Sequence, residues 1–322
     1  MIPKWLLICL LLISFNTYSQ SILVVDSYHS TYPWSISYKE GLEKILGSKY
    51  ELTYIEMNTK HIPKSQYQAK ADLVWEKYQA LSPALVIIGD DNALETLAPR
   101  FLKTNTPVVY LGINANPRKY GIENAPNFSG VLERPLIKRS LIMLQQFVDV
   151  KKILILFDTS DTGEVILQDV FYGKTSMSIG KIHLDIRKIG LFNQWKQAVL
   201  NAKKEGYDVI IPALYQTLKD EDGEHVDAEE IIKWTAENTE LPPFGFWDYT
   251  VASNKNIGGY VVSGYHEGII AGKRALEILR GRQINARVFS SSKGYFIFSQ
   301  SQLKKWNITL PDKISNEAIF IE

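Results

Sequence analysis

Among 322 residues there is a single cysteine, Cys9, and it lies inside the apolar run 5–15. With no cysteine downstream, a thiolate nucleophile, a cysteine-held metal and a disulfide framework are excluded there. The five histidines show no HExxH spacing, which removes a zincin-type centre. No GxSxG elbow, no GxxxxGK[ST] phosphate loop and no GxGxxG after the first strand occurs, so serine hydrolysis, P-loop chemistry and dinucleotide binding lose their usual signatures. Neither charge dominates, with 36 Lys+Arg against 35 Asp+Glu, so no nucleic-acid partner is expected. The run 5–15 is shorter than the ~20 apolar residues a membrane span needs. With Lys4 before it and Thr17 and Ser19 behind it, 1–19 reads as a signal peptide cut near Ser19, placing the mature chain in the periplasm. Bulky Ile8 ahead of Cys9 argues against lipid anchoring. We expect no enzyme, no metal and no cofactor.

What is present is aromatic and strongly patterned. The 17 Tyr and 7 Trp are amphipathic rings of the kind that grip small organic molecules. The length exceeds one ordinary doubly wound sheet and suits two lobes. The organising stretch is ILVVDSYHSTYPW, 22–34: an apolar strand, 22–26, breaks into a loop of hydroxyls and rings, and a helix follows from about Ser35 to the stop at Gly47. Strands at 51–56, 84–88 and 107–111 then alternate with helices bearing Ala71, Val74, Tyr78 and Leu81, and Ala93, Leu94, Leu97 and Phe101. This order predicts a parallel sheet with right-handed crossovers.

From 128 the grammar repeats. Strands at 128–132, 153–157, 181–188, 208–212 and 244–247 alternate with helices around 136–147, 165–170, 195–202 and 227–238, which predicts a second sheet. A late strand, 259–263, and a helix, 265–280, with Ile269, Gly272, Leu276 and Leu279 on one stripe imply a return to the first lobe. The expected architecture is α/β: two Rossmann-like lobes with parallel sheets joined by a hinge. Lobe one comprises 20–130 plus 251–281, and lobe two 131–250 plus 282–322.

Ligands of such sheets sit beyond the carboxyl ends of the strands. The candidate ligand-binding residues there are Ser27, Tyr28, His29, Tyr32, Trp34, Gly89, Asp90, Asp91, Asn92 and Asn114 from lobe one. Lobe two contributes Asp158, Thr159, Ser160, Tyr215, Trp247 and Asp248. Plainer duties compete. Trp34 suits a core plug below its helix, and one of Asp90, Asp91 and Asn92 suits a helix cap while another faces the cleft. Glu267 suits an acid opposing the macrodipole in a first helical turn. Asp90 and Asp158 form a carboxylate pair imaginable as a glycosidase dyad, although plain binding also uses strand-end carboxylates.

SYHSTYPW after the first strand, MNTK after the second, the GDDNAL turn, PVVYLGIN, GVLERP and the late GYHEGIIAGKRALEILRG are together distinctive. They resemble the ABC-transporter substrate-binding family of type I periplasmic binding proteins, in the branch shared with extracytoplasmic sensor domains of bacterial histidine kinases. The resemblance covers nearly all of the mature chain. It implies the type I periplasmic binding protein fold, three hinge strands and a small-molecule ligand between the lobes, amino-acid-like by analogy with tryptophan-binding relatives. It also implies a membrane ABC permease as partner or, as the alternative, a sensor histidine kinase on a separate chain. Where the kinase-associated branch has MDTKR, this chain carries Asn58 and His61, a less charged edge. A monomer is expected.

Overall fold

The computed structural model describes residues 21–282, 288–290 and 293–322. The expected signal peptide, 1–19, lies outside the described residues.

The first lobe is built from β1 (Ser21–Asp26), α1 (Pro33–Leu46), β2 (Glu51–Glu56), α2 (Tyr67–Leu81), β3 (Leu85–Gly89), α3 (Asp91–Phe101), β4 (Val108–Ile113) and β5 (Phe128–Leu132). Each helix carries the chain back to the same end of the sheet, so consecutive strands pair in parallel. β1, β3 and β4 are apolar runs buried almost end to end, as strands covered by helices on both faces must be. The chain winds from β1 to β2 on one side and to β3 on the other, with Asp26 aligned to Gly89. That reversal makes a topological switch point, and SYHSTYPW and GDD both emerge at it.

The second lobe contains α4 (Ile137–Leu144), β6 (Lys152–Phe157), α5 (Asp161–Phe171), β7 (Ser176–Ile179), β8 (Ile182–Lys188), α6 (Phe192–Asn201), β9 (Val209–Pro212), α7 (Ala228–Asn238) and β10 (Gly258–Val261). Then α8 (Gly264–Leu279) crosses to the first lobe, and β11 (Val288–Ser290) adds to that lobe's sheet beside β5. The chain returns for β12 (Tyr295–Ser299), α9 (Gln300–Lys305), α10 (Asp312–Ser315) and β13 (Ile319–Ile321). The sheet orders are β11-β5-β4-β3-β1-β2, β7-β8-β6-β9 and β10-β12-β13. The expected strand 244–247 is an extended segment that sews the last two sheets together: Phe244 N–H donates to Ile210, and Gly245 N–H to Gly258.

Two lobe assignments change. β10 pairs with β12 in the second lobe, not with the first sheet as 251–281 required, and β11 pairs with β5 in the first lobe, not with the second as 282–322 required. An apolar run fits either sheet equally well, so composition leaves the crossing point open. The chain crosses after β10. The short strand β7, absent from the sequence reading, forms an antiparallel hairpin with β8 around Gly180 at φ +59°.

Candidate functional site

The loop after β1 is organised by Asp26. Its fully buried carboxylate accepts the Tyr28 N–H at 3.0 Å and the Ser35 hydroxyl at 2.9 Å, and pairs with Lys39 at 2.6 Å. Pro33 then starts α1 without a side-chain cap, its fixed φ suiting the first turn. From the neighbouring strand end, the Asn58 N–H donates to the Tyr28 carbonyl and the Thr59 N–H to the Ser27 carbonyl. The loop is therefore a fixed platform. On it the Tyr28 and Tyr32 rings meet edge to face at 4.7 Å.

Four candidates are supports. Ser27 donates its hydroxyl to the Gly89 carbonyl at 2.7 Å and accepts the Ala93 N–H at 2.8 Å, so it, and none of Asp90, Asp91 and Asn92, ties down the first turn of α3. The Asp91 carboxylate accepts the N–H groups of Asn114 and Ala115 and the Tyr120 hydroxyl at 2.6 Å, which fixes the loop after β4. Asn92 donates to Thr59 at 2.9 Å. Gly89 packs under the Tyr38 hydroxyl, where any Cβ would collide at 2.5 Å.

Asp90 is different. Its backbone sits at φ 67°, ψ 164°, a region comfortable only for glycine. The side chain is 2% exposed, and among the described residues Oδ2 has no hydrogen-bond partner. It lines a cavity of about 20 Å³ closed between the lobes, with Tyr28, Tyr32, Trp34 and Asn114 around it. Across from them stand Thr162, Leu214, Trp247 and Tyr249 of the second lobe. The Trp34 Nε1 and Asn114 Oδ1 atoms are likewise buried without partners. Tyr249 lies 6.1 Å from Tyr32 and 6.5 Å from Trp34 between ring centroids, and Thr162 lines the same space as Tyr28.

Glu133, just past β5 where the chain first crosses, accepts the Trp247 indole N–H at 2.5 Å and the Asn114 amide at 3.0 Å. Burial pushes its carboxyl up to about 7 against those two donors. Burial, with the charges of Asp26 and Glu133 adding to it, holds Asp90 well above the ordinary carboxylate range. Glu267 is fully buried, accepts the Gly112 N–H at 3.2 Å, and is also held high by burial and by Glu133. It keeps the expected place in the first turn of α8 and is buried there, behind the cleft. Among the described residues Lys60 is the one cation on the cavity lining, its Nζ 4.6 Å from the Tyr28 ring centroid and 5.7 Å from that of Tyr32.

The second-lobe candidates divide similarly. Trp247 faces the cavity. Asp158 does not: its carboxylate accepts Ser160 N–H and hydroxyl and the Thr217 N–H, so it forms no dyad with Asp90. Ser160 caps α5 and Thr159 is exposed. Tyr215 is a core residue packed on Trp195. Asp248 accepts the Tyr249 N–H and reaches Ser37 of α1 at 3.5 Å, a contact between lobes, and burial pushes it up to about 6. His29 sits at the mouth, stacked on His61 at 4.3 Å, and His61 meets His225 of the other lobe at 4.6 Å. Lys60, Glu133, Thr162, Leu214 and Tyr249 were not singled out from sequence; Lys60 and Glu133 lie within the MNTK and GVLERP segments, which were the available signal.

A larger depression of about 630 Å³ opens on the second lobe beside Arg139, Tyr260 and Tyr295. It lies away from the strand-end loops of the switch point, and none of its lining side chains is among the buried polar atoms left unpartnered. The interlobe cavity is therefore the candidate site.

No family model and no curated protein matches the chain. Solved structures do. The ABC domain in complex with L-Trp from Streptococcus pneumonia aligns at TM-score 0.67 and 15% identity, over 94% of this chain and 100% of that one. A ligand-free, open substrate binding protein with adhesive properties from Clostridium difficile gives 0.64 at 15% identity over the same shares. The 5-methylthioribose transporter solute binding protein from Thermotoga lettingae, in complex with 5-methylthioribose, gives 0.52 at 14% identity over 82% of this chain and 81% of that one. What these proteins have in common with this chain at such low identity is architecture, and on that ground the chain has the two-lobed α/β fold of type I periplasmic binding proteins.

Proposed function

We propose that the protein is an exported solute-binding protein that closes its lobes on a small polar molecule and presents the closed form to a membrane ABC permease. The observation that supports this reading is the convergence of buried, unpartnered polar atoms on an aromatic-walled space at the switch point: Asp90 Oδ2, Trp34 Nε1 and Asn114 Oδ1. A buried polar group without a partner costs about 1–3 kcal/mol, and a bound solute removes that cost. Amino-acid-like solutes are the first class to test, since rings and a carboxylate suit a side chain and an ammonium. Catalysis is the weaker reading, because Asp158, the expected second carboxylate, is spent on Ser160 and Thr217.

The test is a thermal-shift screen of the mature protein against amino acids, nucleosides, sugars and small acids. A solute present at a hundred times its Kd adds about 2.7 kcal/mol of stability. Tyr28→Ala and Asp90→Ala are each expected to abolish the shift. A shift that survives both substitutions places the binding site elsewhere.

A further inference from the structure

The charge and the walls of the cavity restrict what it accepts. Its lining holds two carboxyl groups, Asp90 and Glu133, against one ammonium, Lys60. A third carboxyl, Glu267, lies behind Gly112 with Oε1 unpartnered. Arg134 offsets part of this from behind: its guanidinium donates to the carbonyls of Ile113, Asn114 and Glu133, and its charge acts on Glu133 and Glu267, which leaves three carboxyls against two cations. The formal surplus is negative and buried; burial holds these carboxyls toward the protonated form, and a cation brought among them lets them ionise.

The geometry of the walls suits a cation as well. Tyr28, Tyr32, Trp34, Trp247 and Tyr249 surround the space, and ring faces attract ammonium groups within about 6 Å of their centroids. Lys60 already occupies that position over Tyr28 and Tyr32. The protein's own side chain thus stands where a ligand's charged nitrogen belongs. The strained backbone of Asp90 keeps a carboxylate beside it where glycine would be easier. N–H donors suited to a ligand carboxylate are few: the Trp247 N–H and the Asn114 amide both go to Glu133, which leaves the Trp34 indole N–H beside the tyrosine and Thr162 hydroxyls and the Lys60 ammonium, which already lies over the Tyr28 and Tyr32 rings.

The geometry points to an organic cation as the ligand: an amine without a carboxylate, whose nitrogen displaces the Lys60 ammonium from the Tyr28 and Tyr32 faces and lies against Asp90. This rests on the solute-binding reading and narrows it from amino-acid-like molecules to net-positive ones. Lys60 then acts as a tethered competitor that fills the aromatic box until an amine arrives.

Isothermal titration with an isosteric series tests it: phenethylamine as cation, 2-phenylethanol as neutral, 3-phenylpropanoate as anion and phenylalanine as zwitterion, with choline and putrescine as further cations. At least one of the three cations is expected to bind more than about tenfold tighter than every neutral, anionic or zwitterionic probe. Lys60→Met is expected to tighten that cation, and Asp90→Asn to weaken it by about tenfold or more. If the solutes that bind, in this series or in the broader screen, are all neutral, anionic or zwitterionic, the cation class is overturned and solute binding stands. If no probe of any charge binds the wild type or Lys60→Met, both readings fall.

Discussion

Asp90 combines two costs that folding alone does not require, a glycine-only backbone and a buried carboxyl oxygen with nothing to accept from among the described residues. Strain of this kind amounts to about 1–3 kcal/mol. Asp90→Gly is therefore expected to raise the stability of the ligand-free protein in urea by about that amount while removing solute binding. A loss of stability instead means that the carboxyl holds the fold together. Glu133 makes a second residue-scale expectation. Its carboxyl is raised to about 7, so between the ordinary carboxylate range and that value the folded protein carries a proton the unfolded chain has lost. The folded state binds more protons there, so stability is highest at the acid end of that window and falls as pH rises through about 7. Melting curves from pH 5 to pH 8 are expected to show this fall, and Glu133→Gln to reduce it. Asp90 was readable from its place at a strand end. Glu133 was not, because its meaning depends on Trp247, 114 positions away, and no local pattern carries that pairing.

At the scale of elements, the join between α1 and α8 decides how the late helix sits. The face that α8 buries is Gly264, Glu267, Gly268, Ala271, Gly272, Arg274, Ala275 and Ile278, and the larger Ile269, Leu276 and Leu279 stay half-buried. The periodicity of large apolar residues thus found the helix and missed its buried face. Where backbones touch, small residues go inside, and the spacing of Gly264, Gly268 and Gly272 was the signal. A Cβ on Gly268 would stand 2.0 Å from the Tyr38 carbonyl, and one on Gly41 2.1 Å from that of Tyr265. Gly268→Ala is expected to cost about 1–3 kcal/mol or more in chemical denaturation, since the clash is with backbone that cannot rotate away. Strand and helix order was legible almost throughout the first lobe because helical and strand periods alternate cleanly there. The partners of β10 and β11 were not, since strand pairing is set by which edge is free.

At the scale of the molecule, the lobes are shut on a space of about 20 Å³, room for about one water molecule. On the proposed reading a solute enters only after the lobes part, by motion at the crossings that follow β5 and β10. Lys64 and Asp161 face each other across the cleft at 3.4 Å. With cysteines at both positions, in a chain that has no cysteine after Cys9, a short bismaleimide bridge formed before solute is added is expected to abolish binding in titration calorimetry. The same bridge formed after loading is expected to retain the solute through dialysis. Binding left intact by a bridge formed beforehand rules out entry between the lobes.

The histidine rings at the mouth add a matter of timing. His61 and His225 belong to different lobes and touch only while the cleft is shut, so their contact must break before anything leaves. On the proposed reading Asp90 and the rings around it set affinity on the floor of the cleft, and the rim sets dwell time. His61→Ala is thus expected to shorten the residence of a captured molecule in stopped-flow chase experiments more than it slows capture. A latch at the rim can be tuned without altering what the floor of the cleft would recognise.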